Sequence, residues 1–319
     1  MFSTTLLTFL GAIATLAVAT PMKRTVSNGA AINKNFADPG LMLNSNGVWY
    51  AYSTTSSSGL VPMSNSTNFK TWTKPTNVLT SVGAWATGAV WDPDVREISS
   101  GHYVMYYAAR RNGGPSNDHC LGVATATHPN GPFTPKSTPL MCDLASGGLI
   151  GITGFKAPDG RLYVVWKVDG NSIKGKTPIK IQRVGANGYD LQGTATTLIT
   201  NDASSSVDGG LVEAPSLVHW NGWYYLFYST HNYNTLKYDI RYAVSRSVRG
   251  PFSKVGSFLT SGDFSTAGPG STTVLNIQDK YVNMAFHSDI NGKNSSGAGR
   301  AMWTISNICL SGGVAKPTC

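Results

Sequence analysis

Apolar and polar residues alternate along this chain in short runs, and the runs come in pairs joined by turn residues. The clearest pair lies between Leu211 and Ser229. Pro215 to Trp220 reads as one strand and Trp223 to Tyr228 as its return. Asn221-Gly222 between them suits a two-residue hairpin, because both central positions of that turn need φ > 0. The return strand is rich in aromatics, which fit a pleated surface. The same form recurs at Asn46-Gly47, Ser100-Gly101 and Asp159-Gly160, and more weakly at Gln278-Asp279, each followed by an aromatic strand. The copies are roughly 55–60 residues apart, a period of propellers, solenoids or arrays. Gly131-Pro132-Phe133 and Gly250-Pro251-Phe252 repeat at matching places, after the small-residue strands Leu121–Thr127 and Ile240–Ser245. About four strands per repeat, five times over, predict an all-β fold, a five-bladed β-propeller. A β-sandwich gives no reason for five similar units, and a β-helix has shorter rungs.

Composition agrees. Charged residues are few, glycine is plentiful and aromatics are common, as in a turn-rich β protein. Five repeats without a composition break indicate one domain. Residues 1–20 read as a signal peptide, with an apolar run from Leu6 to Val18 that ends in Ala17-Val18-Ala19. Residues 21–28, with Lys23-Arg24, read as a short propeptide or linker, and 29–319 as the propeller. The first apolar run is short for a membrane span and no other is long enough, so a secreted chain without a membrane partner is expected. An even cysteine count then suggests two disulfides, with Cys120–Cys142 and Cys309–Cys319 as the nearest-neighbour pairings. Asn65 and Asn294 head acceptor sequences for N-glycosylation in polar, loop-like contexts. The net charge of +9 is spread along the chain with no basic run or helix, which excludes a nucleic-acid partner. Walker, dinucleotide-binding and G-x-S-x-G patterns are absent.

The candidate chemistry is acidic. Glu213 sits between Val212 and Ala214 at a strand entrance, and a carboxylate among apolar neighbours tends to have a raised pKa and a functional role. Asp38, framed by Phe36 and Pro39, enters the first repeat in the same way. Asp92-Pro93-Asp94 enters the second. Innermost strands of a propeller line a central channel, so carboxylates at equivalent places in different blades meet at its mouth.

Asn35–Gly40, Trp91–Val95, Glu213–Leu217 and Ala285–Asp289 resemble the marker motifs of family 43 glycoside hydrolases. These are five-bladed propeller enzymes acting on arabinose- and xylose-containing polysaccharides. The resemblance spans essentially the whole mature chain, and Tyr163–Ser172 is similar to secreted fungal members. It implies hydrolysis of α-L-arabinofuranosyl or β-xylosyl linkages by an inverting mechanism, in a monomer that requires no cofactor. It makes Asp38 the general base and Glu213 the general acid, in a pair expected roughly 6.5–9.5 Å apart. It places a third carboxylate, which raises the acid's pKa, where this chain has Gly151. Asp92 stands where the family usually has Ala, and is the nearest substitute. Loss of the third charge predicts weaker activity or a lower pH optimum, or a non-hydrolytic carbohydrate-binding protein on the same fold. Trp91, Trp85, Phe155 and Asp94 are expected to bind substrate. His287 is expected in the channel, beside a structural calcium ion.

Overall fold

The structure, a computed structural model, describes residues 25–27, 29–202, 207–290 and 299–318. The expected signal peptide, Cys319 and Asn294 lie outside them. The chain enters through β1 (Thr25–Val26), which pairs with the far end of the molecule. Blade one follows as β2 (Gly40–Leu43), β3 (Trp49–Tyr52), β4 (Pro62–Ser66) and β5 (Thr76–Asn77). Blade two is β6 (Ala86–Ser99), β7 (His102–Arg111), β8 (His119–Ala126) and β9 (Thr134–Pro135). Blade three is β10 (Leu149–Lys156), β11 (Leu162–Val168), β12 (Ile179–Val184) and β13 (Leu191–Ile199). Blade four is β14 (Val212–Trp220), β15 (Trp223–Thr230), β16 (Asp239–Ser245) and β17 (Ser253–Leu259). Blade five is β18 (Gly270–Ile277), β19 (Tyr281–Asp289) and β20 (Arg300–Ser306), with β1 as its outermost strand. A short hairpin, β21 (Cys309–Ser311) and β22 (Val314–Lys316), ends the described chain.

Every blade is an antiparallel meander, so the molecule is the five-bladed β-propeller that the repeats predict. The Asn221-Gly222 hairpin has both φ values positive, at 47° and 74°, and joins Trp220 directly to Trp223. The aromatic strands are the second strands of their blades. They are buried on both faces, because each blade packs against two neighbours. On β7, Tyr103, Met105 and Tyr107 join the cluster shared with blade one. The alternate residues Val104, Tyr106 and Ala108 join the cluster shared with blade three. One apolar cluster fills each of the five blade interfaces.

Two expectations change in detail, and one of the two cysteine pairings is borne out. Thr25–Val26, within the segment assigned to a linker, forms the closing strand by pairing with Ser306 and Ile305. Asn65 lies inside β4 opposite Tyr50 rather than in a loop. Cys120 and Cys142 form a disulfide, whereas the partner expected for Cys309 is outside the described residues.

Candidate active site

The innermost strands share one irregularity. On β6, β10, β14 and β18 two residues bulge out opposite a single residue of the second strand: Asp92-Pro93, Gly151-Ile152, Ala214-Pro215 and Ser271-Thr272. Asp38-Pro39, just before β2, completes the set of five. The first residue of each pair is left-handed, with φ of 54° at Asp38, 48° at Asp92, 62° at Gly151, 48° at Ala214 and 46° at Ser271. A bulge with a left-handed residue re-aims the chain, and here it turns five positions toward one centre. Asp38, Asp92, Gly151, Ala214 and Ser271 line a space of about 20 Å³ there, the size of one water.

The residue after each pair ties its blade to a neighbour. Asp94 accepts from the Gly154 amide at 2.8 Å, and the Thr153 hydroxyl donates to the Pro215 carbonyl at 3.0 Å. Ser216 accepts from the Val274 amide, and Thr273 donates to the Pro39 carbonyl. At Gly40 the Pro93 carbonyl comes so close that a β-carbon would sit 2.0 Å from it. Asp94, expected to bind substrate, is therefore a fastener. It is buried, and Arg96 holds it at 2.7 and 2.8 Å.

Glu213 precedes the left-handed residue of its blade, whereas Asp38 is the left-handed residue of its own. The two enter their strands one residue out of step, not at the equivalent places the sequence suggests. Trp91, on blade two, is the true counterpart of Glu213. The offset matters because the residue before each bulge faces a defined position on the second strand or just past its end: Thr54, Ala108, Lys167, Ser229 or His287. Three of those side chains hold the carboxylates.

Asp38 is held from three sides. The Thr54 hydroxyl donates to Oδ2 at 2.6 Å, Arg300 Nη1 donates to Oδ1 at 3.0 Å, and His287 Nδ1 lies 3.1 Å from both Oδ1 and the Asp38 amide nitrogen. Burial pulls this carboxyl upward, but Arg300, His287 and Thr54 outweigh it and hold the group well below the usual carboxylate range. Asp38 is ionised at any working pH. Glu213 Oε2 accepts from Lys167 Nζ at 2.9 Å, and Lys167 also reaches Asp169 at 2.9 Å. Burial works against the charge on Lys167, whose side chain is 1% exposed, but Glu213 and Asp169 raise its pKa regardless. Asp92 has no cation of its own. Its amide donates to Thr54 Oγ1 and its Oδ1 accepts from the Ser271 hydroxyl at 3.4 Å. Burial, then the charges of Asp38 and Glu213, push its carboxyl well above the usual range, and Arg300 and Lys167 offset this only in part.

The expected aromatics separate. Trp91, next to Asp92 along β6, is half-buried, stacked on His119 at 4.0 Å and packed against the apolar cluster between blades two and three. Trp85 packs on Tyr107 and over Gly122 in the interface of blades one and two. Phe155 lines a cavity of about 1030 Å³ at the opposite end of the channel, with Leu43, His219 and Asn276. Tyr233, which the sequence reading passed over, is exposed at the rim with the Arg300 guanidinium 5.0 Å from its ring. His287 does not suit a calcium ion. Burial and Arg300 keep it neutral, its two nitrogens face Asp38 and Arg300, and that guanidinium already supplies positive charge to Asp38. Among the described residues no three His, Cys, Asp or Glu side chains form a metal-binding group.

Thr54, Lys167 and Arg300 were not singled out from sequence. Lys167 carried a signal, a cation inside the apolar run from Tyr163 to Val168. Thr54 becomes visible only when the five aromatic strands are aligned on their bulges. Arg300, at the start of β20, carried none.

The family model for glycosyl hydrolases family 43 matches residues 30–305. The chain belongs to this family. It is 26% identical over 298 residues to the extracellular endo-alpha-(1->5)-L-arabinanase 1 of Bacillus subtilis (strain 168), covering 82% of this chain and 83% of that one. It is 27% identical over 241 residues to the arabinoxylan arabinofuranohydrolase of Paenibacillus polymyxa, covering 69% of this chain and 35% of the relative. A thermostable family-43 glycoside hydrolase of known structure superposes with a TM-score of 0.77 at 24% identity, over 88% of this chain and 92% of that one. That likeness reinforces the fold.

Proposed function

We propose that this family 43 chain is a secreted hydrolase of arabinan- and arabinoxylan-type polysaccharide. In this reading it cleaves α-L-arabinofuranosyl or β-xylosyl linkages with inversion. Asp38 takes a proton from the water that attacks the anomeric carbon, and Glu213 gives a proton to the departing oxygen. The carrying observation is the environment of Asp38, a carboxylate held ionised by Arg300, His287 and Thr54 at the channel end that Glu213 also faces. A base needs that state. Lys167 fixes Glu213 Oε2 at 2.9 Å and so orients the carboxyl beside the channel. Trp91 and Tyr233 offer aromatic faces for sugar rings. The names of the relatives support arabinan and arabinoxylan as substrates, and the disulfide suits an extracellular protein.

The test is hydrolysis of arabinan, arabinoxylan and aryl arabinofuranosides and xylosides, with the anomer of the first product followed by NMR. Asp38→Asn is expected to lower kcat by about 10²–10⁴-fold, and the first product should have the inverted configuration. Full activity in Asp38→Asn sinks the assignment. The second reading, a carbohydrate-binding protein without turnover, draws on Gly151 and on the lysine against Glu213. It predicts oligosaccharide binding by calorimetry with no product.

A further inference from the structure

We propose that the cavity at the far end of the channel is a second carbohydrate site, which holds a stretch of the same pentose-containing polysaccharide and carries out no chemistry. For the class of sugar this rests on the hydrolase reading above. The register of the five innermost strands carries the argument. Five residues past the left-handed position of each blade stand Leu43, Glu97, Lys156, His219 and Asn276. All five line the cavity of about 1030 Å³. At about 3.3 Å per residue this ring lies roughly 13–17 Å from the left-handed residues. Between the two runs the ring of ties from Asp94 to Gly154, Thr153 to Pro215, Ser216 to Val274 and Thr273 to Pro39. There the channel narrows to the space of about 20 Å³ that bulges and ties line together, the size of one water. A sugar in the lower cavity therefore cannot reach Asp38 or Glu213, and binding there is separate from turnover.

The lining suits a neutral, hydroxylated ring. Phe155 meets Tyr224 edge-on with ring centres 6.1 Å apart, and Tyr224 meets His219 at 4.8 Å, so aromatic rings run without a break from blade three to blade four. Phe155 and His219 are both half-buried at the cavity wall. Burial lowers the pKa of His219 against the charge of Asp279, and its ring is neutral. The C–H faces of a sugar pack on such rings. Charges at the wall are largely met from within the protein. Arg96 is paired with Asp94, Glu97 accepts from the Ser45 amide and hydroxyl at 3.0 and 3.2 Å, and Asp279 accepts from Asn276 at 2.6 Å. Lys156 and Asn221, exposed at the rim, carry donors for hydroxyl oxygens. Pockets for small ligands run about 300–1,000 Å³, so this one has room for a short oligosaccharide rather than a single sugar. Polymer held here stays close to the catalytic end, a gain in effective concentration that a small aryl glycoside does not feel.

The experiment titrates Asp38→Asn, which holds substrate without cutting it, with linear arabino-oligosaccharide. Calorimetry should count two sites per chain, and NMR should show the amides of Phe155, His219 and Leu275 shifting as one of them fills. Adding His219→Ala, or separately Phe155→Ala, should weaken that site about tenfold and leave the other unchanged. In the otherwise wild-type chain, His219→Ala should raise KM on polymeric arabinan about three- to tenfold, while turnover of an aryl arabinofuranoside changes less than about twofold. A single site whose saturation moves none of those amides overturns the proposal. Equal losses on polymer and aryl glycoside overturn it too, because they mark a structural role. So does self-association that His219→Ala abolishes, which makes the cavity a contact between copies. Wild type that hydrolyses nothing, yet whose Phe155 and His219 amides shift with the oligosaccharide, defeats the hydrolase reading and leaves the second site standing. Hydrolysis without those shifts defeats the second site alone.

Discussion

Lys167 carries an unusual load for one side chain. It is buried, and its ammonium is the shared partner of Glu213 and Asp169. Lys167→Met keeps the volume and leaves two carboxylates facing each other without a cation. Removing one partner of a buried ion pair destabilises by about 3–5 kcal/mol, so urea denaturation at pH 7 should show a loss of that order. Asp289 poses the opposite case. Burial lifts its carboxyl to about 6, against the pull of Arg300, and neither oxygen has a partner among the described residues. Its folded pKa lies above the unfolded value, so its contribution is fully present below about pH 4 and is lost as pH rises through 6. Asp289→Asn, which mimics the protonated form, should therefore raise Tm at pH 8 and leave it unchanged at pH 4. Neither residue announced its role in the sequence. Asp38 and Glu213 could be read there because apolar neighbours isolate them, but a counter-ion arriving from another blade leaves no local trace.

Strands and turns were far more legible, because their signals are local. Five turns followed by aromatic runs located the second strand of every blade, and period-2 burial on two faces explains why those runs are apolar throughout. The bulges were not legible. No fixed residue type marks them, since Asp, Gly, Ala and Ser all occupy the left-handed position. Asp38 and Glu213 therefore looked equivalent while lying one residue out of step, and Asp94 looked like a site residue because its place in the ring of inter-blade ties depends on that register. The ring also explains Gly40. Its counterparts Asp94, Thr153, Ser216 and Thr273 make ties with side chains, whereas at Gly40 the two blades touch through backbone, with the Pro93 carbonyl where a β-carbon would be. Gly40→Ala must push blades one and two apart. Forcing a methyl into a filled site destabilises by about 1–3 kcal/mol, so its denaturation midpoint should fall. Gly256→Ala, on the outer strand of blade four with nothing within 4 Å of the new methyl, should leave the midpoint nearly unchanged.

At the scale of the whole molecule the question is how a ring of five blades closes. Blades one to four are each built from consecutive strands, but blade five borrows β1 from the other end of the chain. The tie continues past the strand, through Ser27 to Thr304 and through Ala31 and Ile32 to Met302. Val26 also packs against the cluster between blades four and five. A chain beginning at Gly29 would keep the Met302 contacts and lose β1, exposing the edge of β20. An unpaired edge frays and recruits other chains. The Cys120–Cys142 disulfide is a different kind of restraint, closing a loop with a sequence separation of 22 within blade two and its exit. Removing it should cost about 2–4 kcal/mol, mainly by freeing the unfolded chain. The two lesions are therefore distinguishable. Loss of β1 should speed amide exchange along β20 and then across the fifth blade, with aggregation that rises with protein concentration. Replacement of Cys120 and Cys142 by alanine should lower Tm without singling out β20. If truncation leaves β20 exchange unchanged, the ring is held by its five apolar interfaces and the terminal strand is dispensable.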